Sequence, residues 1–304
     1  HGVLSVTVPG AVDGWSLLLA EHGTLPLRQA LAPAIACARD GFPVAEVVAR
    51  QWHVAAPMLA ADPAAAAAFL PRGRAPVPGE VFACPALAAT LEVIAAEGRD
   101  ALYGGDLGRT IARDAERRGG WLTEADLGDH RSEWVDPIRA TYSDVELLEL
   151  PPNTPGFVAL EALNILGDDD LGRLGHNSAD YLHLVLEALA IAFADRNAYL
   201  ADPAAVPDTT LRRLISRDYA RHRRGDIRSD RAGAHAAGHV GTDHDPGVRP
   251  SSAPPGAGDT VYLAAADDRG NLVSLIQSLY AGFGAGIVAG DTGVVLHNRG
   301  SLFV

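Results

Sequence analysis

The residues with the most chemical potential lie at one junction. A polar stretch dominated by Gly, Ala, Ser, Pro, His and Asp, residues 226–258, ends at Gly258-Asp259-Thr260 and gives way at once to the apolar run Val261-Tyr262-Leu263. A hydroxyl side chain at the first position of a strand, behind a stretch that can be cut away, is what self-processed amide-bond chemistry needs. Once the chain is cut before it, Thr260 offers Oγ as nucleophile and its own α-amine as general base, so neither histidine nor lysine is required. The same residues also suit an ordinary threonine at a loop-to-strand junction. Lysine chemistry is excluded outright, because all 25 basic residues are arginine. A P-loop lysine, a Schiff-base lysine and pyridoxal phosphate catalysis go with it.

Other candidate groups carry less. Gly282-Phe283-Gly284-Ala285-Gly286 lacks the spacing, the following helix and the lysine of a phosphate loop. His235, His239 and His244, with Asp243 and Asp245, could by composition form a metal tract, but in a loose loop they read as a solvated linker, and no metal or other cofactor is expected. His183 and Glu187, four residues apart on a helix, read as a surface pair. Cys37 and Cys84 are too few for a structural zinc site and read as inert core thiols, a single disulfide being the alternative.

Composition bounds the rest. A chain of 304 residues with 48% hydrophobic and 21% charged residues can bury a full core. The net charge of −13 opposes the neutralisation of phosphates that DNA or RNA binding needs, so no nucleic-acid partner is expected. There is no apolar run long enough for a membrane span, about 18 residues, and no basic n-region with an apolar h-region after His1. The reading is a soluble protein with no membrane partner, the cytoplasm favoured, and the absence of an initial Met suggests a trimmed or processed piece.

The elements that must position the junction can be read from breakers and caps. Leu4–Val8 reads as a strand, followed by two helices punctuated by Gly23 and Pro26. The second, Leu27–Asp40, repeats apolar residues at helical spacing and stops at Gly41. Prolines 57, 63, 71, 76, 78 and 85 cut the alanine-rich stretch 44–93 into short helices and loops. Helices are predicted at Pro85–Glu97 and Gly108–Arg118, with a short one capped by Thr123. A hairpin joins Trp134–Tyr142 to Val145–Leu150, and Pro151-Pro152-Asn153-Thr154-Pro155-Gly156 forces a tight turn. Helices then start at Phe157 and, capped by Ser178, at Ala179, the latter running to about Leu200. Residues 226–258, almost devoid of large apolar side chains, read as a mobile loop outside any core. Beyond it come strands Val261–Ala266 and Leu272–Gln277, a connection needing positive φ at Gly270, and a last strand Val294–His297.

Several separated stretches resemble the gamma-glutamyltransferase family of N-terminal-nucleophile hydrolases. They are Thr7-Val8-Pro9-Gly10-Ala11-Val12-Asp13-Gly14-Trp15, the turn Pro151–Gly156, Ala194-Asp195-Arg196-Asn197-Ala198-Tyr199-Leu200-Ala201-Asp202-Pro203, Asp259-Thr260 through Asp267 with Gly270-Asn271, and Phe283–Gly290. The resemblance covers essentially the whole chain in the family's order. It implies an α+β fold, the four-layer αββα sandwich of N-terminal-nucleophile hydrolases, truncated here at both ends. It also implies a large-subunit portion, residues 1–259, and the start of a small subunit, residues 260–304, made from one precursor by autocleavage between Asp259 and Thr260, with a dimer of such pairs open. By the same resemblance Thr260 falls on the catalytic threonine and Ser278 on a second hydroxyl that hydrogen-bonds it, while Tyr280, Arg299 and Ser301 fall in the substrate-binding region.

Departures from the family pattern bear on the substrate. Asparagine in the family stands where this chain has Tyr280, and polar or acidic groups that hold the donor's α-amino group stand where it has Arg299 and Leu302. An ammonium group would meet a guanidinium there, whereas a carboxylate would suit Arg299 through a bidentate contact. The resemblance thus implies an amide-bond hydrolase or acyltransferase forming an acyl-enzyme on Thr260, its donor a small-molecule acyl amide bearing a carboxylate. A true gamma-glutamyltransferase acting on glutathione and a non-catalytic homologue are the alternatives. With 45 residues from Thr260 to Val304, the family's oxyanion-hole glycines and carboxylate-binding serines are expected beyond Val304 and a carboxylate-binding arginine before His1, so the chain alone is expected to be inactive.

Overall fold

Helix ends fall where capping and breaking residues stand. Ala11–His22 stops before Gly23, and Leu27–Asp40 stops before Gly41, whose φ of +88° suits only glycine. Pro85 opens Pro85–Glu97, and a reciprocal capping box between Thr123 and Asp126 opens Glu124–Asp129. The Ser178 hydroxyl accepts the Tyr181 amide at the start of the longest described helix, Ala179–Tyr199. The computed structural model describes residues 2–167, 169–241 and 258–302. Across them helices are joined with three two-stranded antiparallel sheets, in keeping with the α+β expectation.

The chain divides into two compact units, His1–Ser132 with Pro254–Val304, and Glu133–Ala253. This division is one of packing and is separate from a division by cleavage at 259/260. In the first unit, Leu31, Ile35, Ile94, Ile111 and Leu127 form a core that takes in Ala285, Ile287, Ala289 and Leu296 from the C-terminal stretch. A neighbouring aromatic cluster places Phe283 against Trp52 and Phe69, with ring centroids 5.3 Å and 5.4 Å away. These contacts hold the stretch that follows the last hairpin. In the second unit, Ala179–Tyr199 packs on Phe157–Ile165 and Arg217–Arg224 around Ile165, Ile191, Leu214 and Tyr219.

Several expectations change. Leu4–Val8 is not a strand: Val3–Ser5 forms a turn of 3₁₀ helix, closed by the Ser5 hydroxyl donating to the Gly2 carbonyl at 2.7 Å. Val294–His297 makes only one isolated bridge, Val288 to Val295, because its backbone pairs with the turns of 285–289. Both cysteines are free thiols, but only Cys84 is buried; Cys37 lies on the exposed side of its helix.

The largest correction concerns 226–258. Residues 226–241 are tied to the second unit's core although they offer few large side chains. The Gly238 amide donates to Asp195 at 2.6 Å, its carbonyl accepts the Tyr199 hydroxyl at 2.6 Å, Arg223 reaches the Ala236 carbonyl at 2.6 Å, and Val240 is buried. Buried polar side chains thus satisfy the backbone where apolar anchors are missing. The remainder, 242–257, with Asp243, His244 and Asp245, lies outside the described residues.

Candidate functional site

The geometry of the junction starts from a loop length. Strands Gly258–Ala266 and Leu272–Ala281 pair antiparallel, and the connection 267–271 is locked by the Asp267 carboxylate, which accepts the amides of Arg269 and Asn271 at 2.9 Å each. Gly270 adopts φ +84° there, as the hairpin reading requires. With Ala266 opposite Leu272, the register carried six residues back sets Thr260 opposite Ser278. Directly opposed side chains share a face, and the Thr260 Oγ1 and Ser278 Oγ atoms are 2.9 Å apart. The ladder shifts register between Gly258 and Thr260, so Asp259 lies at the irregularity, immediately before Thr260.

Around this pair the chain takes an unusual path. Tyr280 has φ +79°, rare for a large side chain, and its amide turns back to donate to Ser278 Oγ at 2.8 Å. Arg299 is half-buried, its guanidinium 5.8 Å from the centre of the Tyr280 ring, and among the described residues it has no acidic partner. Burial pulls it below the usual guanidinium value. His297 is pulled down to about 4, first by burial and then by the Arg299 charge, and its Nδ1 accepts the Arg299 amide at 3.4 Å. Ser301 sits in the short helix Arg299–Leu302, where its hydroxyl donates to the Asn298 carbonyl at 2.8 Å. That helix lies close on the N-terminal segment: a Cβ at Gly300 would come within 2.8 Å of the Ser5 carbonyl oxygen.

The expected residues are therefore gathered as two groups on one stretch of chain: Thr260 with Ser278, and Tyr280 with Arg299 followed by Ser301. Sequence reasoning missed His297 and Asn298. The signal available in the sequence was an asparagine directly before Arg299, which the structure buries to 3% exposure. It also left Asp13 without a role. This carboxylate, buried at the start of Ala11–His22, accepts from Arg99 Nε and from the Ser132 amide, and these donors hold it below the usual carboxylate range despite burial.

The remaining candidates separate. His183 does not pair with Glu187; its Nε2 contacts the Arg228 carbonyl at 2.6 Å, while Glu187 takes His235 at 2.8 Å and the Gly233 amide at 3.0 Å. The two histidines occupy different partners because residues 228–235 run back over the helix. Among the described residues no three metal-ligating side chains converge. No helix among the described residues is long and apolar enough to cross a membrane.

Comparison with known proteins identifies the family. The gamma-glutamyltranspeptidase family model matches residues 1–304. The chain belongs to the gamma-glutamyltranspeptidase family. It is 40% identical over 299 residues to the glutathione hydrolase-like YwrD proenzyme of Bacillus subtilis, covering 98% of this chain and 54% of that protein. It is likewise 40% identical over 298 residues to the acylase ACY 1 proenzyme of Pseudomonas sp. strain SE83, covering 98% and 51%. Cephalosporin acylase from Bacillus halodurans superposes with a TM-score of 0.86 at 37% identity, covering 99% of this chain and 53% of that one. The fold is accordingly that of the N-terminal-nucleophile hydrolases. The chain spans about half the length of the curated relatives it matches.

Proposed function

We propose that the protein is an amide-bond hydrolase or acyltransferase that matures by cutting itself between Asp259 and Thr260 and then uses Thr260 as its nucleophile. The observation that carries this reading is the Thr260–Ser278 hydroxyl pair at 2.9 Å, fixed by the hairpin register. In maturation Thr260 Oγ attacks the Asp259 carbonyl carbon, the peptide becomes an ester as the nitrogen takes up a proton, and water hydrolyses the ester. The freed α-amine then serves as base. It takes the Oγ proton as Oγ attacks the donor's acyl carbon, and returns it to the departing amine. The acyl-enzyme passes its acyl group to water or to a second amine. Ser278 Oγ, already accepting the Tyr280 amide, steadies the nucleophile oxygen throughout.

The donor in this reading carries a carboxylate on its acyl chain and no α-ammonium. Arg299, half-buried and backed by the Tyr280 ring, attracts a carboxylate and repels an ammonium. The relatives named as acylases are consistent with such a donor. A glutaryl anilide and a gamma-glutamyl anilide differ essentially by the α-amine, so comparing them on the processed full-length protein isolates this group. The glutaryl compound is expected to have the higher kcat/KM by about tenfold, equivalent to about 1.4 kcal/mol of differential binding. A preference for the gamma-glutamyl compound would favour a glutathione-type donor instead.

A further inference from the structure

The backbone of Tyr280 aims an amide at Ser278, and the structure shows what holds that backbone. Asn298, nearly fully buried, donates its backbone amide to the Leu279 carbonyl at 3.1 Å, and its side-chain Oδ1 accepts the Ala281 amide at 3.0 Å. These two groups belong to the peptide planes on either side of Tyr280. Fixing both planes sets φ and ψ of Tyr280, and because the Tyr280 amide shares a plane with the Leu279 carbonyl it is held on Ser278 Oγ. Asn298 also accepts the Ser301 amide and hydroxyl on its own carbonyl, at 3.2 Å and 2.8 Å. One side chain and its backbone therefore connect the end of the strand that bears Ser278 to the short helix that bears Arg299.

We infer that Asn298 is a positioning residue for the nucleophile pair: by clamping the residues on both sides of Tyr280 it keeps the Tyr280 amide on Ser278 Oγ. The inference rests on the proposed role of Thr260 and Ser278, and it adds a residue that touches neither substrate nor nucleophile. Without the Oδ1 acceptor, the Ala281 amide must find another partner. Tyr280 is then free to relax toward the negative φ that a bulky residue prefers, and its amide leaves Ser278. Glycine at 280 has no such preference and can keep the turned backbone without the clamp. Coupling between positions 298 and 280 is thus the signature of positioning as opposed to plain structural support.

The test is a double-mutant cycle on the full-length protein, using Asn298→Ala, Tyr280→Gly and the pair, with kcat and KM for a glutaryl anilide and the melting temperature measured for each. Asn298→Ala is expected to lower kcat by about tenfold with little change in KM, the scale of one hydrogen bond lost at a reacting group. Asn298→Asp, which keeps an acceptor at Oδ1, is expected to recover most of that loss. The double variant should lose severalfold less than the product of the single losses. Asn298→Ser, which shortens the acceptor while keeping the site polar, supplies the same cycle if the alanine variant yields no folded protein. Effects that simply multiply, or a kcat loss as large for Asn298→Asp as for Asn298→Ala, would overturn the inference. Thr260→Ala, assayed alongside, tests the reading beneath it. Activity surviving there removes the nucleophile and the inference with it, whereas activity lost there with multiplying 298 and 280 effects removes the inference alone.

Discussion

Replacing Ser278 by alanine deletes a single oxygen that faces Thr260 Oγ1 at 2.9 Å and accepts the Tyr280 amide at 2.8 Å. The magnitude follows from which state needs that oxygen. In the resting protein the two hydroxyls are neutral, and such a hydrogen bond is worth about 1 kcal/mol, roughly fivefold in rate. In the proposed acylation, as Oγ of Thr260 loses its proton to the α-amine, the bond becomes one to a developing anion. Bonds to charged groups are worth about 1.5–3 kcal/mol, so acylation should slow by about 10-fold to 150-fold. The fold should tolerate the change, because the site is only half-buried and no apolar volume is removed. Single-turnover release of a chromogenic amine measures acylation directly, and the melting temperature is expected to stay within a few degrees. Ser278→Thr, which keeps the hydroxyl, should stay close to the parent. An acylation rate for Ser278→Ala within twofold of the parent, at equal stability, would refute the reasoning.

Arg299→Leu should erase the preference for a glutaryl over a gamma-glutamyl anilide, chiefly through KM for the glutaryl compound; an unchanged ratio would show that the carboxylate is held elsewhere. Glu161, fully buried beside Asp195, is pushed well above the usual carboxylate range, first by burial and then by the Asp195 carboxylate, with Arg223 opposing. The native state therefore keeps a proton that the unfolded chain gives up, so unfolding free energy falls as pH rises above the ordinary carboxylate range, by up to about 1.4 kcal/mol per pH unit. Glu161→Gln removes that slope, and denaturant melts from pH 5 to pH 9 should show the variant gaining on the parent with rising pH; parallel curves would contradict it.

Much of the hairpin is legible in the sequence, and the reason is local. Asp267 and Gly270 mark a five-residue connection between strands that end at Ala266 and resume at Leu272, whereas the pairing of Thr260 with Ser278 was expected only through the family resemblance, and the ladder extends beyond the predicted strands to reach it. Helix bounds such as Leu27–Asp40 and Pro85–Glu97 were equally legible because a glycine or proline stands at their ends. What was not legible depends on partners distant in sequence. Residues 226–241 have the composition of a free loop, and it is side chains from two helices, His183, Glu187, Asp195, Tyr199 and Arg223, that anchor them. Cys37 shares its apolar surroundings in sequence with buried residues, yet helical phase turns it outward. The positive φ of Tyr280 has no signature in residue type at all, since it is imposed by Asn298 from 18 positions away.

The central claim is that Thr260 becomes a new N-terminus and then carries the acyl group. Denaturing mass spectrometry of the full-length protein, before and after brief mixing with a glutaryl anilide and acid quench, reads both events in one experiment. Two polypeptides are expected, the smaller beginning at Thr260 and gaining the mass of one glutaryl group that maps to its first residue. A single uncut chain is expected for Thr260→Ala and partial cutting for Thr260→Ser, which keeps the attacking oxygen. A folded parent protein that remains one intact chain, or an acyl group that maps to any residue other than Thr260, would contradict the claim.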